Sequence, residues 1–147
     1  KINADCVRDI MFFLEEKTKV YFEDFLGEKL PTYYYLSPEA FQEVQSLQKY
    51  ELEEIFYHLI QLSESGYIVT DYRFDPVNGD GHFFMKRIHY FTPKGHEFIS
   101  EIKDEKTWSN FIKPALKPFG SLSLEIIKTV ASEVASLAIK ALVNPSF

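Results

Sequence analysis

The stretch HYFTPKGHEFI, His89 to Ile99, constrains the fold more than any other part of the chain. Before it, HFFMKRIHYF is aromatic and β-branched, the composition of a strand. Thr92 followed by Pro93 then starts a helix: a hydroxyl cap comes first, and next the residue that has no N–H to satisfy. Phe98, Ile99 and Ile102 continue at helical spacing and define a buried face. Gly95 in the first helical turn costs about 1 kcal/mol against Ala, which close approach to a neighbouring backbone would explain. The two histidines, the glutamate and the lysine therefore decorate a strand-to-helix joint rather than form a catalytic or metal cluster.

The rest of the chain can be read outward from that joint. Upstream, ELEEIFYHLIQLSESGYI carries Leu52, Ile55, Phe56, Leu59 and Leu62 on one apolar face, with Gly66 placed for a left-handed C-terminal cap. YIVTDYRF and HFFMKRIHYF flank the turn-rich DPVNGDG, which predicts a hairpin. At the start, Asn3 is a good N-cap and Val7, Ile10, Met11 and Leu14 form the buried stripe of a helix over 4–17. Ser37 and Pro38 open a second helix over about 38–47, buried through Phe41, Val44 and Leu47. Between these two helices, Gly27 and Pro31 interrupt an aromatic segment expected to be loop with one or two short strands. Phe56, Leu59, Phe98 and Ile99 are the expected centre of the core.

Three helices, a two-stranded hairpin and a helix opened by Thr-x-x-Gly resemble the element order of a winged-helix domain, an α+β fold. FTPKGHEFI itself resembles the junction that follows the wing. INADCVRDIMFFLEE, EEIFYHLIQLSESGYI, FTPKGHEFISEIKDEKTW and GSLSLEIIKTVAS together are similar to a family of small phage and bacterial proteins known only as a domain of unknown function. That resemblance implies a phage or prophage setting and says almost nothing about activity. The middle of this chain is longer than the resemblance implies, and Glu51 stands where a Ser or Thr cap is expected. The expected organisation is a winged-helix-like domain over 1–112, a linker over 113–120 containing Pro114, Pro118 and Gly120, and an apolar C-terminal helix over 121–147.

Composition narrows the function classes. Cys6 is the single cysteine, so no internal disulfide forms, which suits a reducing cytoplasm; it lies in an apolar stripe and is expected to be a buried, inert thiol. KINADCVRDI carries charges where a signal peptide needs an apolar run, and a cytoplasmic location follows as the expectation. His82, His89 and His96 recur every seven residues, but His82 and His89 fall on opposite faces of a strand, and no Cys cluster or H-E-x-x-H supplies further ligands. Aligning the EF-hand glycine on Gly81 puts Pro76 and Arg87 at positions that need acidic ligands. No nucleophile elbow, phosphate loop or nucleophile–base pair is present. The sequence points to a non-enzymatic protein without cofactor or metal.

Two recognition readings remain. Sequence-specific DNA binding in regulation would use Tyr57, His58 and Gln61 on the third helix, with Arg73, Lys86 and Arg87 on the wing holding phosphates. Against it stands a net charge of −6, and residues 51–66 contain four glutamates and no Lys or Arg. The alternative is a protein–protein module that binds a host or phage factor through this acidic helix. In the C-terminal helix, Leu124, Ile127, Ala131, Val134 and Ala138 form a heptad-like row. It can pack back onto its own domain, join two copies as a homodimer, or lie on a membrane surface. Glu125, Lys128, Glu133 and Lys140 argue against a free membrane span.

Overall fold

The computed structural model describes residues 1–33, 37–74 and 81–143. Helix α1 (Ala4–Lys17) starts as expected: the Asn3 side chain accepts from the Cys6 N–H, and Val7, Ile10, Met11 and Leu14 are buried. Thr18 closes it, with its N–H and hydroxyl both on the Leu14 carbonyl. The chain then forms an antiparallel hairpin of β1 (Val20–Phe25) and β2 (Glu28–Tyr33) around Leu26 and Gly27. Both turn residues have positive φ, 51° and 84°, the signature of the turn that matches strand twist.

Residues 38–47 are not the expected α-helix. They form two 3-10 segments, Pro38–Glu43 and Gln45–Leu47, separated by an extended Val44. The apolar positions Phe41, Val44 and Leu47 are spaced by three, the period of a 3-10 helix, and no fourth residue completes a 3.6-period face. Phe41 and Leu47 are nevertheless fully buried, and the Phe41 ring meets Phe13 of α1 edge-on at 4.8 Å.

The helix expected third is therefore α2 (Leu52–Glu64), which ends at Gly66 with φ +80°. A long hairpin follows. Its base pairs β3 (Ile68–Thr70) with β6 (Ile88–Phe91), with an irregularity at Val69/Thr70; its outer part pairs β4 (Arg73–Phe74) with β5 (Phe83–Phe84). Asp71 organises the interruption, because its carboxylate accepts from the N–H groups of both Lys86 and Arg87. Most of the tip expected in DPVNGDG, residues 75–80, lies outside the described residues.

The joint into α3 (Pro93–Ile102) is built as the sequence predicts. The Thr92 hydroxyl accepts from the Gly95 N–H at 3.1 Å and donates to the Gly66 carbonyl at 2.6 Å, so one side chain caps both α3 and the end of α2. A β-carbon on Gly95 would overlap the Tyr67 carbonyl. Beyond α3, α4 (Glu105–Thr107), a π-helical stretch (Trp108–Ile112) and α5 (Lys113–Leu116) run on to α6 (Leu124–Val143). The segment expected as a linker over 113–120 thus begins as helix, with Leu116 buried.

One core joins these elements. It includes α1, the 3-10 turns, α2, the hairpin base, α3, Trp108, Ile112 and the first half of α6. Leu59, Phe98 and Ile99 sit in it as expected, while Phe56 is partly buried at its margin. Arg8 ties α1 to the end of α3 by donating to the carbonyls of Ile102 and Lys103, the last-turn acceptors a helix leaves open. The whole is a mixed α+β fold of several helices and short antiparallel strand pairs.

Candidate functional site: the groove between α2 and the outer hairpin

Helix α2 is buried through Ile55, His58, Leu59 and Leu62, the i, i+3, i+4, i+7 positions of one stripe. That corrects the place of His58, expected on the outward, base-reading face. Its imidazole is fully buried, accepts the Asn3 N–H on Nε2 at 2.9 Å and donates from Nδ1 to the Glu54 carbonyl at 2.7 Å. These two bonds fix the neutral Nδ1–H tautomer. Burial pulls the basicity of the ring below its ordinary 6.5, against the opposing effects of the Glu54 carbonyl and carboxylate. His58 is a structural pin between the helix α1 start and α2, and its place in the apolar stripe was the sequence signal for this.

Among the described residues, Cys6, Glu54 and His58 bring one potential ligand atom each within 4.8 Å of one another. Both imidazole nitrogens are already bonded, and the Glu54 carboxylate accepts from the Asn3 amide. Burial pushes the Cys6 thiol up to about 12, with Glu54 and Asp9 adding to the effect. The donor set is that of a satisfied polar node in the core, and it lacks an available nitrogen lone pair for a metal.

The opposite side of α2 carries a second apolar surface. Leu52, Phe56, Tyr57 and Ile60, together with Phe83 of β5 and Glu53, line a groove of about 420 Å³. The Phe56 and Phe83 rings meet at 5.6 Å and 61°, which fixes the outer hairpin against the helix. Tyr57 is exposed, and Gln61 is half-buried on the next turn. Glu53 is the acidic residue of the groove lining; Glu51, Glu54 and Glu64 are the other glutamates of this helical segment, which has no Lys or Arg.

The hairpin cations sit differently. Arg73 pairs with Phe84, and the guanidinium lies 4.5 Å from that ring's centre; the Lys86 ammonium lies 5.4 Å from it. Successive strand residues face opposite ways, so Phe83 turns to α2 while Phe84, with Arg73 and Lys86, turns away. Of the six expected nucleic-acid residues, Tyr57 and Gln61 share the helix, Arg73 and Lys86 share one ring, Arg87 is tied to Asp71 through its backbone, and His58 is in the core. Further along, the Lys113 ammonium is paired with Asp5 at 2.7 Å.

The C-terminal row is divided. Of the three fates open to the row, Leu124, Ile127 and Ala131 take the first and are buried against the domain itself rather than on a seam between two copies. The Lys128 ammonium reinforces this docking: it bonds Glu101 of α3 at 2.8 Å, Glu97 at 3.2 Å and the Ser132 hydroxyl at 2.7 Å. Burial alone would lower the basicity of Lys128, but the two carboxylates outweigh it and hold the ammonium charged. Val134, partly buried against the same core, and Ala138 line a groove with Thr107, Phe111 and Leu137, and beyond them Leu142 and Val143 project into solvent. No helix among the described residues is long and apolar enough to cross a membrane.

No curated protein and no solved structure matches this chain. A family model described as "Hypothetical protein (DUF2513)" matches residues 1–121, from α1 through α5 and the approach to α6. The chain belongs to the DUF2513 family.

Proposed function

We propose that this chain is a non-enzymatic recognition protein of winged-helix type, from a phage or prophage setting, that binds a protein partner in the α2–β5 groove. The observation that carries this reading is the chemistry of α2: its outer face is Leu52, Phe56, Tyr57 and Ile60 among glutamates, without one Lys or Arg. A nucleic-acid backbone meets electrostatic repulsion there, whereas an aliphatic or aromatic anchor flanked by Lys or Arg finds both an apolar trough and countercharge. The winged-helix correspondence rests on element order: α1, the 3-10 segments in place of a second helix, α2, the long hairpin and α3. A cytoplasmic location goes with this reading.

DNA binding is the second reading, and one observation favours it. Arg73 and Lys86 converge on Phe84, and a phosphate could be held there, although this face turns away from Tyr57 and Gln61.

One pair of assays separates them. Mixed genomic fragments are tested in a mobility-shift assay at about 50 mM salt, where electrostatic binding is strong. In parallel, protein captured from host extract is compared between wild type, Tyr57→Asp and Glu53→Lys. No shift, with a captured protein lost in both variants at unchanged melting temperature, is the expected result. A shift at micromolar protein that Lys86→Ala weakens on every sequence overturns the protein-partner reading.

A further inference from the structure

The β1–β2 hairpin is poorly suited to stand alone. Every residue of β1 is exposed, including Phe22 at 66% and Phe25 at 58%, and the turn residue Leu26 is 90% exposed in a left-handed conformation that a branched side chain disfavours. An isolated two-stranded hairpin is marginal in water, and three or more strands are the usual remedy.

Its two outer edges differ. A two-residue turn makes Phe25 and Glu28 a hydrogen-bonded pair, so bonding alternates along the register to a non-bonded Phe22/Pro31 pair. The nitrogen of Pro31 therefore lies on the outer edge of β2, where it removes a donor and blocks strand addition. On β1 the outward groups are those of Val20, Phe22 and Asp24. None of them bonds another segment among the described residues.

We propose that β1 pairs antiparallel with β1 of a second copy of this chain, about a two-fold axis at Tyr21, giving a four-stranded sheet in the order β2–β1–β1–β2. Facing residues must share a face, so the axis falls on a residue. Centred on Tyr21, the register places Val20 opposite Phe22 of the second copy and Lys19 opposite its Glu23, each twice by symmetry. No ion pair among the described residues engages Lys19 or Glu23. Centring on Phe22 instead would set Val20 against Asp24 and Lys19 against Phe25, an apolar–charged mismatch in both cases. The Tyr21 register also carries Phe25 and Leu26 of the second copy towards the depression lined by Glu16, Lys17, Lys19 and Tyr21 at the hairpin base.

Sedimentation of the full chain at roughly 100 µM, where a small strand–strand interface of micromolar affinity is populated, is expected to show a dimer. Glu23→Lys sets two like-charge pairs across the axis and is expected to weaken the dimer about tenfold or more. Adding Lys19→Glu is expected to restore it. Under mild oxidation Tyr21→Cys is expected to cross-link, because directly opposed non-bonded pairs have Cα atoms about 4.5 Å apart, within disulfide reach. Glu23→Cys is expected not to. A monomeric wild type, a dimer insensitive to Glu23→Lys, a charge swap that fails to restore, or cross-linking through Phe22→Cys in place of Tyr21→Cys each overturns the proposal. A dimer lost on changing Leu137 and Leu142 but not Glu23 assigns association to the end of α6 and likewise overturns it.

Discussion

The Gly66–Ile99 joint and the Val20–Tyr33 hairpin draw on the same residue types, aromatic and β-branched side chains with glycine turns. In the joint, Tyr67, Phe91, Phe98 and Ile99 are all buried, and the Thr92 hydroxyl and the Gly95 contact lock strand to helix. In the hairpin, Val20, Phe22 and Phe25 face solvent. Both regions pair antiparallel strands through the backbone. What differs is a second layer: α3 and α6 cover the joint, while β1 is exposed along its length. Apolar sequence in this molecule thus serves two ends, cohesion where a helix lies over it and adhesion where none does.

The sharpest way to break that contrast is to remove a large side chain from the covered region. Phe98→Ala empties a fully buried site and is expected to cost about 3–5 kcal/mol in urea unfolding. A near-unchanged midpoint would mean the joint carries little of the core. Gly95→Ala gains helix propensity but forces the β-carbon onto the Tyr67 carbonyl, and a net loss of about 1–3 kcal/mol is expected. A gain in stability there would contradict the close approach.

His58 supplies a pH-dependent test of the same body. Its folded-state basicity is depressed, so the unfolded chain binds the extra proton and stability is full above pH 6.5. As pH falls below that value, unfolding is expected to become easier by up to about 1.4 kcal/mol per pH unit until the folded ring itself protonates. His58→Gln is expected to lose that slope. The smallest effect belongs to the hairpin: Phe22→Ser, at an exposed site in the monomer, is expected to change monomer stability by no more than about 0.5 kcal/mol. A larger loss would show that the hairpin packs on the body after all.

The contrast also explains what the sequence revealed. Helix α1 and the joint were legible because caps and periodicity agree: Asn3 with the Val7–Leu14 stripe, Thr92 and Pro93 with Phe98 and Ile99. The 3-10 segments were missed because Phe41, Val44 and Leu47 match both a short helix and a period of three. His58 was placed outward by its polarity, though its position between Ile55 and Leu62 marked it as buried. The row from Leu124 to Ala138 fixed which side of α6 is apolar. It could not say what covers that side, because periodicity carries no information about the partner, and the domain itself takes Leu124, Ile127 and Ala131. The α2–β5 groove was hidden for a related reason: Phe83 reaches Phe56 only through tertiary contact.

The central claim, a closed joint and an adhesive hairpin in one chain, is tested most directly by native-state hydrogen exchange at two protein concentrations. In dilute protein the amides of Thr92 and His96, bonded to the carbonyls of Tyr67 and Thr92, should exchange only through global or near-global opening. The outward amides of Val20, Phe22 and Asp24 should exchange freely in dilute protein and gain protection as concentration rises. Hairpin amides as slow as those of the joint in dilute protein, or indifferent to concentration, would contradict the account.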